Sequence, residues 1–164
     1  MAIMKQLHEL GGVPAEHAAE PDQKLAVVAC MDARMDVYEI LCLKTGDAHV
    51  IRNAGGVITD DVIRSLAVSQ HKLGTRHIML LHHTKCGMAG FDEEKFRDDL
   101  TATAGFSPEW SADGFDDVDL DVLQSVARIR ANPFVPFKGW IGGYVYDVDT
   151  EEVRPAAPQR PQAC

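Results

Sequence analysis

Two short clusters hold the side chains best suited to chemistry. Cys30-Met31-Asp32-Ala33-Arg34 sets a thiol, a carboxylate and a guanidinium at alternate positions. His83-Thr84-Lys85-Cys86-Gly87 adds an imidazole and a second thiol three residues apart. Two Cys and one His form a donor set that zinc accepts readily, provided that the three can converge on one point. Three protein ligands leave a fourth tetrahedral position for water, which is the arrangement of catalytic zinc. Asp32 could take that fourth position itself or accept a hydrogen bond from the water there. Arg34 can hold the carboxylate through a bidentate contact and keep it ionised. Each piece alone has an ordinary reading: His-x-x-Cys arises by chance, and Asp32 with Arg34 is a surface ion pair.

The elements that carry the clusters tilt the balance. Leu25-Ala26-Val27-Val28-Ala29 is a continuous apolar run, expected of a strand buried on both faces of a parallel sheet. His49-Val50-Ile51 and His77-Ile78-Met79-Leu80-Leu81 repeat it. Between the runs lie two candidate helices, about 36–43 and 60–73, the second capped by Thr59 or Asp60 and stopped by Gly74. Strand and helix in alternation predict an α/β fold, a central and mainly parallel sheet flanked by helices, with right-handed crossovers and a ligand site at the carboxyl ends of the strands. Both clusters follow such strands.

Beyond Gly90 the pattern loosens. Residues 92–100 read as a short helix, 101–114 as a loop broken by Gly105 and Pro108, and 116–130 as a helix with acids at its start and Arg128 and Arg130 at its end. Trp140 to Val148 reads as a last strand interrupted by Gly142-Gly143, and a Pro-rich tail from Arg154 to Cys164 reads as disordered. Residues 1–10 form an amphipathic pattern, with Ile3, Met4, Leu7 and Leu10 on one face, expected to pack on the main domain or on a partner subunit. Residues 1–153 are thus expected to form a single domain with an N-terminal arm.

Charge narrows the function. The 164 residues hold 25 acidic and 16 basic side chains, a net charge of −9. Residues 92–121 contain eleven acids against Lys95 and Arg97, so the whole excess lies in one stretch and the remainder is balanced. Nucleic acid is excluded as a partner by the lack of a gathered basic face. No run approaches the ~18–20 apolar residues of a membrane span, and no signal-peptide pattern opens the chain, so a cytoplasmic location is expected. In a reducing compartment the four cysteines would be thiols, ligands or nucleophiles.

In family order and spacing, Cys30-x-Asp32-x-Arg34, Gly46-Asp47-Ala48 leading to Arg52-Asn53-Ala54-Gly55-Gly56, and His83-x-x-Cys86-Gly87 resemble the β-class carbonic anhydrases. The resemblance implies zinc on Cys30, His83 and Cys86, with Asp32 as a possible fourth ligand, and Asp32 and Arg34 as a catalytic dyad. It implies reversible hydration of CO2 to bicarbonate by a zinc-bound hydroxide, in a homodimer or larger assembly whose sites lie at the subunit interface. His49, Leu66 and Gly87 would line the substrate pocket. His49 stands where plant-like members place a phenylalanine, Leu66 about where they place a tyrosine, and Lys85 where a small, amide or acidic residue is usual. The scaffold also hosts hydrolases of carbonyl sulfide and carbon disulfide, a second enzymatic reading; a non-catalytic zinc-binding or thiol-sensing protein is a third. His82 is expected as a core or supporting residue, Cys42 as a buried small hydrophobe and Cys164 as a free thiol.

Overall fold

The computed structural model describes residues 18–158. The amphipathic pattern of residues 1–10 and Cys164 lie outside that range. β1 (Leu25–Cys30), β2 (Ala48–Asn53), β3 (His77–His83), β4 (Trp140–Tyr146) and β5 (Val153–Pro155) form one sheet in the order β2-β1-β3-β4-β5. The first four strands are mutually parallel and β5 runs antiparallel to β4. β1 leads to β2 on one side, and β3 pairs with β1 on the other. The chain thus reverses its direction of progress across the sheet between β1 and β3, and a crevice opens at their carboxyl ends. Both chemical clusters begin there.

The helices are α1 (Val37–Ile40), α2 (Asp60–Lys72), α3 (Glu93–Ala104) and α4 (Val118–Ala131). The Thr59 hydroxyl caps α2 by accepting from the Val62 N–H, and the Asp117 carboxylate caps α4 through the Asp119 and Leu120 N–H groups. Burial on both faces explains the continuous apolar run of β1. Ala26 and Val28 join Leu66, Ile78, Leu80, Val122 and Ile129 in one core, while Val27 and Ala29 join Met35, Val37 and Leu81 in the other.

Four local expectations are corrected. The first helix shrinks to Val37–Ile40, and Cys42, expected inside it and buried, is exposed with a positive φ of 52°. α3 runs on through Thr101–Ala104, where a loop was expected. The Thr101 and Thr103 hydroxyls donate to the carbonyls of Arg97 and Asp99, one helical turn back, and Gly105 in the left-handed conformation supplies the stop. Gly142-Gly143 does not interrupt β4. A Cβ at Gly143 would lie 2.4 Å from Val122 Cγ1, so the glycine lets α4 press onto the strand. Finally, the tail boundary at Arg154 falls inside β5. Buried Asp119 accepts from Arg154 Nη1 at 2.6 Å, from Nη2 at 2.8 Å and from the Ala157 N–H at 2.9 Å, which fastens the segment to α4.

Candidate metal centre

β1 ends at Cys30 and β3 at His83, on neighbouring strands, and the turn after β3 returns Cys86 to the same place. The ligand atoms of Cys30, His83 and Cys86 all lie within 4.8 Å of one another, and all three residues are buried. Among the described residues no other group of three or more His, Cys, Asp or Glu side chains gathers in this way. Cys30 Sγ and Cys86 Sγ are 3.8 Å apart.

His83 is set for coordination by its other nitrogen. Nδ1 lies 2.9 Å from the Thr84 carbonyl, which only accepts, so Nδ1 carries the proton and Nε2 offers a lone pair. Nε2 is buried and, among the described residues, has no hydrogen-bond partner. A buried acceptor facing two thiols is a group that a soft divalent cation would satisfy. One thiol is primed too: the hydrogen bond from Cys86 lowers the first ionisation at Cys30 against the opposing effect of burial, and His83 helps, while the same pairing and burial raise Cys86. The donor set fits zinc.

Asp32 stands beside this set. Its Oδ2 is 3.8 Å from His83 Nε2, and the carboxylate is turned to Arg34 and does not join the three donors. Arg34 Nε donates to Oδ1 at 2.9 Å, Nη2 to Oδ2 at 2.8 Å, and the Arg34 backbone N–H to Oδ1 at 2.9 Å. These bonds hold the Asp32 carboxyl far below the usual carboxylate range. Arg34 Nη2 also donates to the Lys85 carbonyl at 3.0 Å, so one guanidinium ties the two clusters together.

The family model of carbonic anhydrase matches residues 25–153. "Beta-carbonic anhydrase 1" of Mycobacterium tuberculosis is 51% identical over 138 residues, which cover 84% of this chain and 85% of the relative. The chain belongs to the β-class carbonic anhydrase family. A solved carbonic anhydrase of Streptococcus mutans superposes with a TM-score of 0.83 at 38% identity, covering 95% of this chain and 93% of that one. "Carbon disulfide hydrolase" of Acidithiobacillus thiooxidans is 36% identical over 155 residues, 82% of this chain and 77% of the relative. The structure brings Cys30, His83 and Cys86 together as a donor set of the kind a zinc enzyme of this family needs, and Asp32 and Arg34 lie beside it.

The expected pocket residues are not gathered in the same way. His49 pairs in register with Ala26, four residues before the Cys30–Asn53 level and so ~13 Å along the strand. Its ring nitrogens are engaged by Ser69 Oγ at 2.8 Å and the Ala19 carbonyl at 2.9 Å. Leu66 is fully buried in the core between α2 and the sheet. Within this chain neither borders the donors, because the register sets His49 at the amino end of the sheet and the apolar face of α2 claims Leu66. Gly87 adjoins Cys86 with open space on its Cβ side. His82 is buried as expected, stacked on Phe115, with its Nε2 donating to the Gly56 carbonyl at 3.0 Å. Sequence reading missed the work of Arg52, whose guanidinium bonds the Cys30 and Asp32 carbonyls. The available signal was a basic residue directly after the apolar Val50-Ile51 pair of a strand.

Proposed function

We propose that the chain is a zinc-dependent carbonate dehydratase that reversibly hydrates carbon dioxide to bicarbonate and a proton. The observation that carries the proposal is a releasable, arginine-held carboxylate 3.8 Å from the lone-pair nitrogen of a three-donor set. A purely structural or thiol-sensing site has no use for such a group. Zinc on Cys30, His83 and Cys86 would supply Lewis-acid activation, bringing the pKa of water from its bulk value towards ~7.

The chain's own residues do the rest. Arg34 keeps Asp32 ionised across the neutral range, so the carboxylate is an acceptor only. Asp32 therefore takes a hydrogen bond from the attacking water and turns its free lone pair towards the carbon of CO2. Arg34 is fixed in turn by Lys85, so the orienting group cannot drift from the donors. Gly87, with no side chain, leaves room for a linear substrate beside Cys86.

Relatives named carbon disulfide hydrolase support a second reading, hydrolysis of carbonyl sulfide or carbon disulfide by the same attack on a central carbon. The greater identity to the mycobacterial β-carbonic anhydrase favours CO2. Purified protein assayed on all three substrates, with zinc measured per chain, tests this: brisk CO2 hydration is expected. Sulfide release without CO2 hydration would replace the first reading by the second.

The same reading includes a homodimer or larger assembly acting in the cytoplasm. Its supports are the outer edge of β2, unpaired among the described residues, and the need of thiolate donors for a reducing compartment. Among the described residues no helix is long and apolar enough to cross a membrane. Sedimentation of the active protein as a monomer would refute the assembly.

A further inference from the structure

Arg52 to Gly56 contains neither a metal donor nor a member of the Asp32–Arg34 pair, yet it lies against the loop that carries both. Gly56, at a φ of 73°, sits so close that a Cβ there would lie 2.9 Å from the Cys30 backbone nitrogen. The Met31 N–H donates to the Asn53 carbonyl at 2.8 Å. Arg52 completes the contact: Nε donates to the Cys30 carbonyl at 3.0 Å and Nη2 to the Asp32 carbonyl at 2.7 Å.

These two carbonyls flank Met31, whose side chain is 63% exposed and anchors nothing. Beyond β1 the backbone between the first metal donor and the carboxylate is held by the Met31 N–H bond to Asn53, by the Met35 N–H bond to the Asp32 carbonyl at 3.0 Å, and by one planar side-chain fork that reaches back from β2 and alone ties the Cys30 and Asp32 carbonyls to each other. We propose that Arg52 is a positioning residue that fixes the Asp32 carboxylate relative to Cys30, and so to the whole donor set. The proposal rests on the reading of Asp32 and Arg34 as the orienting pair.

The division of labour follows from burial. Arg52 is exposed and the Asp32 carbonyl keeps its bond from the Met35 N–H, so removal of the guanidinium leaves only the part-buried Cys30 carbonyl to find water and the fold loses little. The reaction is less forgiving, since a displacement of ~1 Å of an orienting group is enough for a ~100-fold loss of rate. Lysine offers a single ammonium in place of the fork and cannot hold both carbonyls in the same geometry.

The test uses the zinc-loaded full chain with Arg52→Met and Arg52→Lys, beside Asp32→Asn. Four quantities are read: kcat/KM for CO2 hydration, zinc per chain, Tm, and the visible spectrum of the cobalt(II)-substituted protein, which reports donor geometry without turnover. The expected result for Arg52→Met is one zinc per chain, a Tm within ~3 °C of the parent, a kcat/KM lowered ~10–100-fold and a shifted cobalt spectrum, with Arg52→Lys intermediate. An unchanged kcat/KM and spectrum in Arg52→Met overturn the proposal. A loss that merely follows Tm, with Lys no better than Met, overturns it as well. Should Arg52→Met fail to fold, parental kcat/KM in Arg52→Lys is the refuting result. Full activity in Asp32→Asn would bring down the orienting-pair reading itself, whereas an inactive Asp32→Asn beside an unimpaired Arg52→Met removes only the role of Arg52.

Discussion

Asp121→Asn should stabilise the protein at neutral pH and do almost nothing at pH 4. His82 Nε2 donates to the Gly56 carbonyl, so in the neutral ring Nδ1 is a bare lone pair. Asp121 Oδ2 lies 3.2 Å from that lone pair, and neither atom has a well-aligned hydrogen-bond partner. Two acceptors face each other unless a proton sits between them. Burial accordingly lowers His82 to about 4. Burial, with the nearby charge of Asp113, raises Asp121 to about 6.

The two groups act on stability with opposite signs. Asp121 holds its proton in the native state from pH 3.8 to about 6 while the unfolded chain gives it up, so its contribution is lost as pH rises through that window. His82 stays neutral in the native state from about 4 to 6.5 while the unfolded chain takes up a proton, so its contribution grows as pH rises. In the parent the slopes largely cancel. Asparagine presents a permanent N–H to Nδ1 and carries no charge, which removes the first slope only.

A carboxyl moved from 3.8 to about 6 corresponds to at most ~3 kcal/mol, at ~1.4 kcal/mol for each tenfold change in acidity. The Asp121 side chain is 18% exposed, borders a cleft of about 270 Å3 and sits in the first turn of α4, where the helix dipole favours its anion. Those effects reduce the expected gain to ~1–2 kcal/mol, or ~2–8 °C in Tm for a chain of this size. Denaturant unfolding of zinc-saturated parent and variant across pH 4.5 to 8 measures the difference, in which the other titrating groups cancel. A difference independent of pH, or a parent that is the more stable at pH 8, would refute the lone-pair geometry.

Cys86→Ser should lose stoichiometric zinc, and full occupancy by atomic absorption would contradict the donor assignment. Gly143→Ala should cost ~1–3 kcal/mol through the 2.4 Å approach to Val122 Cγ1, with part of the loss recovered by Val122→Ala; denaturation midpoints of the three variants decide it. Arg154→Ala leaves the buried Asp119 carboxylate with only the Ala157 N–H, so ~1–3 kcal/mol of stability should go and the β4–β5 amides should exchange faster with solvent. That loss should shrink on acidification, because Arg154 holds the Asp119 carboxyl below its ordinary range and protonation of the carboxylate ends the ion pair in the parent too.

The parallel core was readable because burial on both faces leaves an unmistakable trace: Leu25 to Ala29 has no polar position to spare. The donors were readable because thiol, imidazole and carboxylate at strand ends are rare and chemically pointed. What escaped depended on partners distant in sequence. The Gly142-Gly143 pair looks like a break until α4 is laid across it. Arg154 and Pro155 look like tail until buried Asp119, 35 residues away, is seen to bind the arginine. Arg52 reads as one basic residue among sixteen until its fork meets two carbonyls. Leu66 and His49 lie away from the donors within this chain for the converse reason: resemblance supplied a position without the helix face or strand register that decides what it touches.

All three donors occur between residues 30 and 86, so a chain elongated only to Gly90 already carries every atom needed to bind metal. Such a chain would still lack α4 and β4, which cover Ile78 and Leu80 and close the free edge of β3. Tight capture of the ion must therefore wait for a stretch of polypeptide that never touches it. The affinity of the centre becomes a remote gauge of whether the last third of the molecule has docked, and lesions far from the ligands, at Val122, Gly143 or Asp119, should announce themselves as zinc that exchanges too fast.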